Sequence, residues 1–145
     1  MSVMGGMNVS ASGMSAQRLR LDIISQNIAN VNTTRDENGN TYRRKTVVFE
    51  EKDMSSFGNI LRYTADTTGD GVKVTEIVED TTTEMRKVYD PSHPDADEDG
   101  YVTYPNVNTV QEMTDMIDAT RAYEANVTAF NATKSMAMKG LEVGK

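Results

Sequence analysis

The chain has 145 residues, of which 37% are hydrophobic and 26% charged, and its formal net charge at pH 7 is -7. Nucleic-acid binding depends on clustered lysine and arginine, so 15 basic residues against 22 acidic ones argue against that function. Cysteine is absent, which excludes disulfides and thiolate metal sites, and no stretch approaches the ~20 apolar residues of a membrane span. Residues 1–15 lack the basic segment and apolar run of a cleaved signal peptide, so export would not remove a classical leader.

The first predicted element is an amphipathic helix between Asn8 and Asn30. Its apolar residues fall seven apart, with alternate positions filled near its end, which is the period of a coiled-coil seam. Ser10 or Ser12 is the candidate N-cap, and Gly13 would permit a neighbouring backbone to approach closely. The predicted stripe consists of Met7, Met14, Leu21, Ile24, Ile28 and Val31.

The middle of the chain is predicted to be a small β-rich insert. Residues 32–40 contain no apolar side chain and predict a loop or hairpin tip, a second turn is predicted at 67–71, and residues 54–63 are ambiguous. The basic run Arg43-Arg44-Lys45 is interpreted as a solvated strand edge. Runs rich in β-branched and aromatic residues predict four strands, at Tyr42–Phe49, Val72–Val78, Met85–Tyr89 and Tyr101–Tyr104.

The last third, Asn108–Leu141, is predicted to be one long helix. Asn108 with Gln111 matches a capping box, and Glu112 follows near the positive end of the helix dipole. Such a helix spans roughly 45 Å at ~1.5 Å per residue, and its apolar face needs a partner. The stripe consists of Met113, Met116, Thr120, Tyr123, Val127, Phe130, Ala137 and Leu141.

These elements predict a mainly α fold with a small β-rich insert. The N-terminal helix occupies residues 1–33, the insert 34–105 and the C-terminal helix 106–145. A compact insert would bring the two long helices together as an antiparallel, coiled-coil-like pair. Because a two-helix layer leaves much apolar surface uncovered, we expect the chain to pack on copies of itself or on related chains.

An acidic turn, Asp95–Gly100, is the candidate metal site. Asp95, Asp97, Asp99 and Gly100 match positions one, three, five and six of a calcium loop, but position twelve is Asn106 instead of a bidentate carboxylate. A structural turn is therefore favoured, with no metal site. A calcium-responsive binding module remains the alternative function.

Catalytic constellations are lacking in the sequence. His93 is the only histidine, and sequence alone places no nucleophile beside it. There is no phosphate-binding glycine loop, no pair of histidines for zinc and no nucleophile elbow. The sequence therefore predicts a protein that is not an enzyme and needs no cofactor.

Residues 12–33 resemble the N-terminal signature of the axial proteins of the bacterial flagellum, which are the rod, hook and hook-associated proteins. The most specific part is Asn27-Ile28-Ala29-Asn30-Val31-Asn32-Thr33. Residues 42–45, 71–80 and 89–108 resemble the proximal rod members, and Arg121–Val127 resembles the C-terminal helix of the group. Residues 35–40 interrupt the general axial pattern, as is typical of the proximal rod members.

This resemblance implies a structural subunit that assembles helically into the proximal rod, transmits torque and lines the export channel. It implies export by the flagellar type III apparatus without leader cleavage, and location in the basal body within the cell envelope. The implied partners are further copies, other rod proteins and the protein at the junction of the rod with the MS ring. The expected assembly interfaces are Met14, Leu21, Ile24, Ile28 and Val31 on the first helix, and Met113, Met116, Tyr123, Val127, Phe130 and Leu141 on the second.

Overall fold

The computed structural model describes residues 3–36, 39–52 and 71–143. In these ranges the chain is mainly helical, with two long helices and a few short antiparallel strands. None of the described helices is both long and apolar enough to cross a membrane. The elements in chain order are α1 (Val3–Ala29), β1 (Lys45–Glu51), β2 (Val72–Glu79), β3 (Arg86–Tyr89), β4 (Tyr101–Tyr104) and α2 (Thr109–Val143).

The two helices pack against each other in antiparallel orientation. Successive contacts along α1 meet α2 in reverse order: Gly6 lies beside Thr133, Gly13 beside Asn126, and Asn27 beside Glu112. A Cβ at Gly13 would come within 2.7 Å of Asn126 Oδ1, so the close approach expected at this glycine is present. The residues of α1 that contact α2 are Gly6, Gly13 and Asn27. Each of them precedes a residue of the predicted stripe by one position, so the apolar stripe of α1 is rotated away from the contact with α2.

The N-terminus of α1 differs from the prediction, because the helix begins at Val3 rather than near Asn8. Ser10 Oγ donates to the carbonyl oxygen of Gly6 (3.1 Å) and Ser12 Oγ to that of Val9 (2.7 Å). Both serines therefore lie inside the helix, and the prediction that one of them caps it is wrong. Packing on α2 favours helix through the glycine-containing start despite its low propensity.

The N-terminus of α2 is capped as predicted. Asn108 Oδ1 accepts hydrogen bonds from the backbone N–H groups of Val110 (3.0 Å) and Gln111 (3.4 Å). The Gln111 side chain does not close the reciprocal half of a capping box, since its amide donates to Asp115 Oδ1 (3.5 Å). Asn108 alone therefore fixes the start of the helix.

The strands form two separate antiparallel pairs. β1 and β2 pair from Lys45 opposite Glu79 to Glu51 opposite Val72, with a bulge after Val48. β3 and β4 pair from Arg86 opposite Tyr104 to Tyr89 opposite Tyr101. All four predicted strands are present, although the first begins at Lys45 and not at Tyr42. The ambiguous residues 54–63 and all but the last residue of the predicted turn at 67–71 lie outside the described ranges.

The β1–β2 pair, called the ribbon below, lies along α1. Val72 N–H donates to Ser12 Oγ (3.1 Å) at one end, and Lys45 N–H donates to Asn27 Oδ1 (2.9 Å) at the other. From Ser12 to Asn27 the helix rises about 22 Å at ~1.5 Å per residue, and β2 spans about 23 Å at ~3.3 Å per residue. Gly71 has a φ of 95°, and a Cβ there would collide with the Ser12 side chain. The lengths match, so the ribbon can be held at both ends.

The interior is thin, as expected for two layers of this size. The buried apolar residues of the described ranges are Ala16, Ile23, Ile24, Val102, Pro105 and Ala119. Three buried polar residues accompany them: Ser10, Asn27 and Glu112. A core with so few apolar residues gives buried polar contacts an unusually large share in fixing the arrangement of the elements.

Candidate functional site

The side-chain amide of Asn27, which is 1% exposed, lies at the centre of a buried polar cluster at the end of α1. Its nitrogen donates to the carbonyl oxygen of Lys45 (2.8 Å) and to Glu112 Oε2 (2.9 Å). Its oxygen accepts from the Lys45 backbone N–H (2.9 Å) and the Tyr42 hydroxyl (2.9 Å). Both donors and two acceptor positions of the amide are therefore used.

Glu112 is a fully buried carboxylate that is compensated by neighbouring donors. Arg44 Nε donates to Glu112 Oε1 (2.5 Å), while Asn27 donates to the other oxygen. The same guanidinium lies 3.2 Å from Asp115 Oδ2, and Arg20 on α1 lies 3.6 Å from Asp115 Oδ1. A charge removed from water needs such pairing, because an unpaired buried carboxylate costs several kcal/mol.

Asn106 extends the cluster to the segment that precedes α2. Its Oδ1 accepts from the Arg44 backbone N–H (2.9 Å), and its Nδ2 donates to the carbonyl oxygens of Asp80 (2.9 Å) and Thr83 (3.2 Å). The Asp80 backbone N–H in turn donates to the Arg44 carbonyl oxygen (2.8 Å). We call the whole cluster the polar junction; its side chains are Arg20, Asn27, Tyr42, Arg44, Asn106, Glu112 and Asp115.

The Tyr42 hydroxyl is the member of the junction with a perturbed titration. Burial raises the pKa of Tyr42 above its ordinary value of 10.0, and the negative charges of Glu112 and Glu79 raise it further. Each effect disfavours the phenolate. The neutral hydroxyl is thereby kept as a donor to Asn27 Oδ1.

The interpretation of the basic run at residues 43–45 as a solvated strand edge is wrong for Arg44. Its side chain is 25% exposed and makes ion pairs with two carboxylates of α2. Glu112, expected only to favour the helix dipole, is buried beneath it. Neither residue carries a local signal of this contact, because their partners are distant along the chain. The resemblance of residues 27–33 and 42–45 to the axial pattern was the one available indication.

The segment that carries the flagellar resemblance forms the end of α1 and the turn after it. Asn30 Nδ2 donates to the Gln26 carbonyl oxygen (2.9 Å), and Asn30 Oδ1 accepts from Thr33 Oγ1 (3.1 Å). Ile28 is half-buried, whereas Ala29 and Asn32 are exposed. In this segment Asn27 therefore holds the polar junction, and Asn30 with Thr33 shapes the turn.

The predicted interface residues divide by exposure. Ile24 is buried, and Met113 and Leu141 are 57% and 76% exposed. The other predicted interface residues are half-buried: Met14, Leu21, Ile28 and Val31 near or on α1, and Met116, Tyr123, Val127 and Phe130 on α2.

Six of these residues share one side of the helix pair. Arg20 lies on the contact line of α1, seven residues after Gly13 and seven before Asn27. At about 100° per residue, Leu21 is rotated about 100° round the helix axis from Arg20, and Ser12, which binds the ribbon, is rotated about 80° in the opposite direction. On α2 the corresponding reference is Ala119, seven residues after Glu112 and seven before Asn126. Met116 and Val127 are rotated round the helix axis from Ala119 in the same sense as Leu21 is from Arg20. In an antiparallel pair, equal rotations lead to the same side, so these residues lie opposite the ribbon. We call this side the apolar flank; it consists of Met14, Leu21, Ile28, Met116, Tyr123 and Val127.

The acidic turn makes contacts within the chain. Asp95 Oδ2 accepts from Thr34 Oγ1 (2.7 Å), and Arg35 lies 3.4 Å from Asp95 Oδ1. Asp97 Oδ1 accepts backbone N–H bonds from Asp99 (3.1 Å) and Tyr101 (2.8 Å). Among the described residues, no group of three or more His, Cys, Asp or Glu side chains is arranged to hold a metal ion. The calcium-binding alternative has no support.

His93 belongs to the same turn. Its Nδ1 accepts a hydrogen bond from the Asp95 backbone N–H (3.1 Å). This hydrogen bond helps to shape the loop between β3 and β4.

Comparison with known proteins gives consistent results. Residues 7–35 match the family described as flagella basal body rod protein, and residues 98–143 match the flagellar basal body rod FlgEFG protein C-terminal family. The chain is 48% identical to the flagellar basal-body rod protein FlgC of Bacillus subtilis, with both chains covered completely. It is 43% identical to FlgC of Borreliella burgdorferi, with 99% of this chain and 98% of the relative covered. For FlgC of Salmonella typhimurium the identity is 35%, again with both chains covered completely.

The matched regions include nearly all of α1 with the turn that follows it, and the whole of α2. The similarity to the FlgC proteins continues through the insert between them, and with it through the segment that supplies Tyr42 and Arg44 to the polar junction. The chain therefore belongs to the FlgC family of flagellar basal-body rod proteins.

Proposed function

We propose that this chain is a structural subunit of the flagellar basal-body rod that works in its proximal part. It assembles helically with copies of itself and with other rod proteins, transmits torque, and lines the export channel with its two long helices. It carries out no reaction. The observation that carries the proposal is the apolar flank, which extends along both helices on the side opposite the ribbon.

The composition of the apolar flank supports a contact with other subunits. Its six residues are apolar or aromatic, and Met113 continues it with 57% of its surface exposed. Two helices alone leave such a surface in contact with water, which favours association. The ribbon is attached on the Ser12 side of α1, so it leaves the flank accessible.

We further propose that α1 and α2 form a coiled-coil-like pair. The contacting residues are separated by seven and then fourteen positions on both helices, with Gly6, Gly13 and Asn27 on α1 against Thr133, Asn126 and Glu112 on α2. A seven-residue repeat is the period of a left-handed supercoil. Residues 1–33 and 106–145 would then form an inner layer of the rod, and residues 34–105 would lie outside it.

The proposed surroundings follow from the family. We place the chain in the cell envelope, in the periplasmic space where the envelope has one, after export through the type III apparatus without leader cleavage. Its neighbours there are further copies, other rod proteins and the protein that joins the rod to the MS ring. The resemblance of residues 12–33 to the axial signature supports these assignments.

The proposal is tested by placing a charge on the apolar flank. Leu21→Asp and Ile28→Asp, each expressed in place of the native chain in a flagellated cell, are expected to abolish rod completion and swimming. A carboxylate buried in an assembly interface without a partner costs several kcal/mol. Swimming in soft agar and electron microscopy of isolated basal bodies give the readout.

Ser15→Asp is the matched control, because it adds the same charge at an exposed position of the same helix. It should leave swimming intact. The helical content of each purified variant, measured by circular dichroism, should equal that of the parent chain, since the flank lies outside the α1–α2 contact. Normal swimming of both flank variants would contradict the proposal.

A further inference from the structure

We infer that the polar junction couples the pairing of the two helices to the placement of the insert, so that both become ordered in one step. The inference concerns the isolated chain and does not depend on the proposed assembly. It assigns to Asn27, Arg44 and Glu112 a role that neither the family comparisons nor the apolar pattern indicates.

The junction takes its atoms from three parts of the chain. Asn27 belongs to α1, Glu112 to α2, and Arg44 to the segment that leads into β1. If the helices paired without the insert, the Asn27 oxygen would lose the Tyr42 hydroxyl and Lys45 N–H, and Glu112 Oε1 would lose Arg44. Each loss removes a hydrogen bond or ion pair that the insert supplies to this end of the helices. The helix pair without the insert is therefore disfavoured at this end.

The insert has the converse dependence on the helices. Without α2, Arg44 loses both of its carboxylate partners, Glu112 and Asp115. Without α1, the ribbon loses its attachments at both ends, to Asn27 at Lys45 and to Ser12 at Val72. A two-stranded pair is only marginally stable alone in water. The ribbon should therefore be ordered only when the helices are paired.

Apolar packing alone would not impose this coupling. Most residues of β2 are exposed, and the described core contains only small or medium-sized apolar side chains. The contacts that join the ribbon to α2 run through Arg44, whose guanidinium bonds both Glu112 and Asp115. Removing the Glu112 charge should therefore separate the two events.

The test uses a disulfide as a clamp on the helices at the end remote from the junction. An ideal Cβ at Gly6 lies 3.7 Å from Thr133 Cγ2, so the two positions face each other across the helix pair, and Gly6→Cys/Thr133→Cys is the pair chosen for the disulfide. The chain contains no other cysteine. The clamp lies roughly 30 Å along α1 from Asn27. Among the described residues, a Cβ at Gly6 meets only Thr133 within 4 Å, so the clamp acts on the helices directly and on the ribbon through them.

Hydrogen exchange with mass spectrometry on the oxidised and reduced full-length chain gives the readout. Oxidation is expected to slow exchange by at least about tenfold in α1 and α2, because the clamp constrains the unfolded ensemble. The inference predicts that residues 45–51 and 72–79 slow by the same factor. If oxidation slows hydrogen exchange in the helices but not in the ribbon, the inference is wrong, whatever result any further variant gives.

Glu112→Gln in the clamped chain completes the test. The substitution preserves shape but presents an amide donor to either Arg44 or Asn27, each of which is itself a donor there. Oxidation should then still slow hydrogen exchange in the helices near the clamp, while the exchange rate of the ribbon changes by less than about twofold. Glu124→Gln, an exposed position of the same helix, is the control and should behave like the clamped parent. A ribbon response in Glu112→Gln equal to that of the control would overturn the inference.

Discussion

At the scale of single residues, the Asn27–Glu112 contact specifies the alignment of the two helices more than it adds to their stability. A buried, fully paired carboxylate gains little net free energy over an apolar substitute, whereas leaving it unpaired costs about 3–5 kcal/mol. Sliding α2 by one heptad would place Ala119 beside Asn27 and leave Glu112 without the amide. Only one alignment therefore satisfies both groups, much as a single polar seam residue fixes register in a coiled coil.

Tyr42 provides a pH-dependent test of the junction. Its folded pKa is raised above the unfolded value of 10.0, so unfolding releases a proton when the pH lies between the two values. Its contribution to stability is complete below pH 10.0 and is lost as the pH rises through the folded pKa. We expect the urea midpoint of the parent chain to fall as the pH rises above about 10, and the midpoint of Tyr42→Phe to fall less steeply with pH. At neutral pH the free energy of unfolding of Tyr42→Phe should be about 1 kcal/mol lower than that of the parent chain, because the hydrogen bond of the hydroxyl is lost.

Tyr89→Phe is the matched control, because Tyr89 is 64% exposed and contacts the ring of Tyr101 edge-on. It should retain the alkaline dependence of the parent. An unchanged alkaline slope in Tyr42→Phe would show that other groups cause the destabilisation, and that the hydroxyl of Tyr42 is not held in the junction.

Residue-level roles were only partly predictable. Asn27 was identified within the flagellar motif, yet its partner Glu112 is 85 positions away, and Arg44 is separated from Glu112 by 68. No local pattern links such residues. A polar side chain at a helix end is usually solvated, so the burial of Glu112 required knowledge of which segments meet above it.

At the scale of elements, the α1–α2 contact depends on small residues. The position of Gly13 against Asn126 sets how closely the helices approach. Gly13→Ala should destabilise the chain by up to about 2 kcal/mol, because displacing the Asn126 amide, which donates to the Ala122 carbonyl oxygen (2.8 Å), costs about 1–3 kcal/mol against the ~1 kcal/mol that alanine gains in helix propensity. Thermal or urea unfolding followed by circular dichroism measures the effect.

Gly140→Ala tests the sign of the same substitution without a clash. A Cβ at Gly140, in the same pair of helices, would meet nothing within 4 Å, so this variant should be stabilised by about 0.5–1 kcal/mol. Adding Asn126→Ala to Gly13→Ala should recover part of the loss. Stabilisation by Gly13→Ala alone would mean that the helices do not approach closely at this point.

The elements were largely predictable from hydrophobic periodicity and turn residues, and their relative faces were not. Both helices and all four strands were predicted, β4 with its observed bounds. Apart from the buried Ile24, however, the apolar repeat of α1 identified residues of the flank, because the points of contact with α2 are Gly6, Gly13 and Asn27. Small and polar residues give no hydrophobic signal, although they permit the closest packing.

At the scale of the whole molecule, α2 extends beyond α1. Because Gly6 lies beside Thr133, the first described residue of α1, Val3, falls opposite Met136 or its neighbours, and α2 continues to Val143. The extension is about 10 Å long. Its apolar side chains Met138 and Leu141 are 55% and 76% exposed. This single-helix end is a second surface that a neighbouring subunit could cover.

Leu141→Asp tests whether the extension contributes to assembly. Since the side chain is exposed in the isolated chain, the free energy of unfolding should change by less than about 0.5 kcal/mol. Incorporation into basal bodies, measured by immunoblot of isolated rods, should fall severalfold or more.

Ser135→Asp, which adds the same charge at an exposed polar position of α2, serves as the comparison and should incorporate normally. Equal incorporation of the two variants would exclude the extension from the interface.

The general plan of the molecule followed from the order of its segments, since apolar repeats at both ends of the chain predict a mainly helical fold with an insert. The location of the insert did not follow, because it depends on the hydrogen bonds of Lys45 and Val72 to α1. Those bonds use backbone N–H groups, which every non-proline residue possesses and which therefore leave no trace in a sequence.

The attachment of the ribbon at both ends has a mechanical consequence. A β-strand at ~3.3 Å per residue is already close to the ~3.6 Å limit of a fully stretched chain, so it can lengthen by only about a tenth. A helix can more than double its length if its hydrogen bonds break. Held at Ser12 and Asn27, the ribbon limits how far this part of α1 can be stretched under load. Elongation of the helix under tension would begin outside the segment from Ser12 to Asn27.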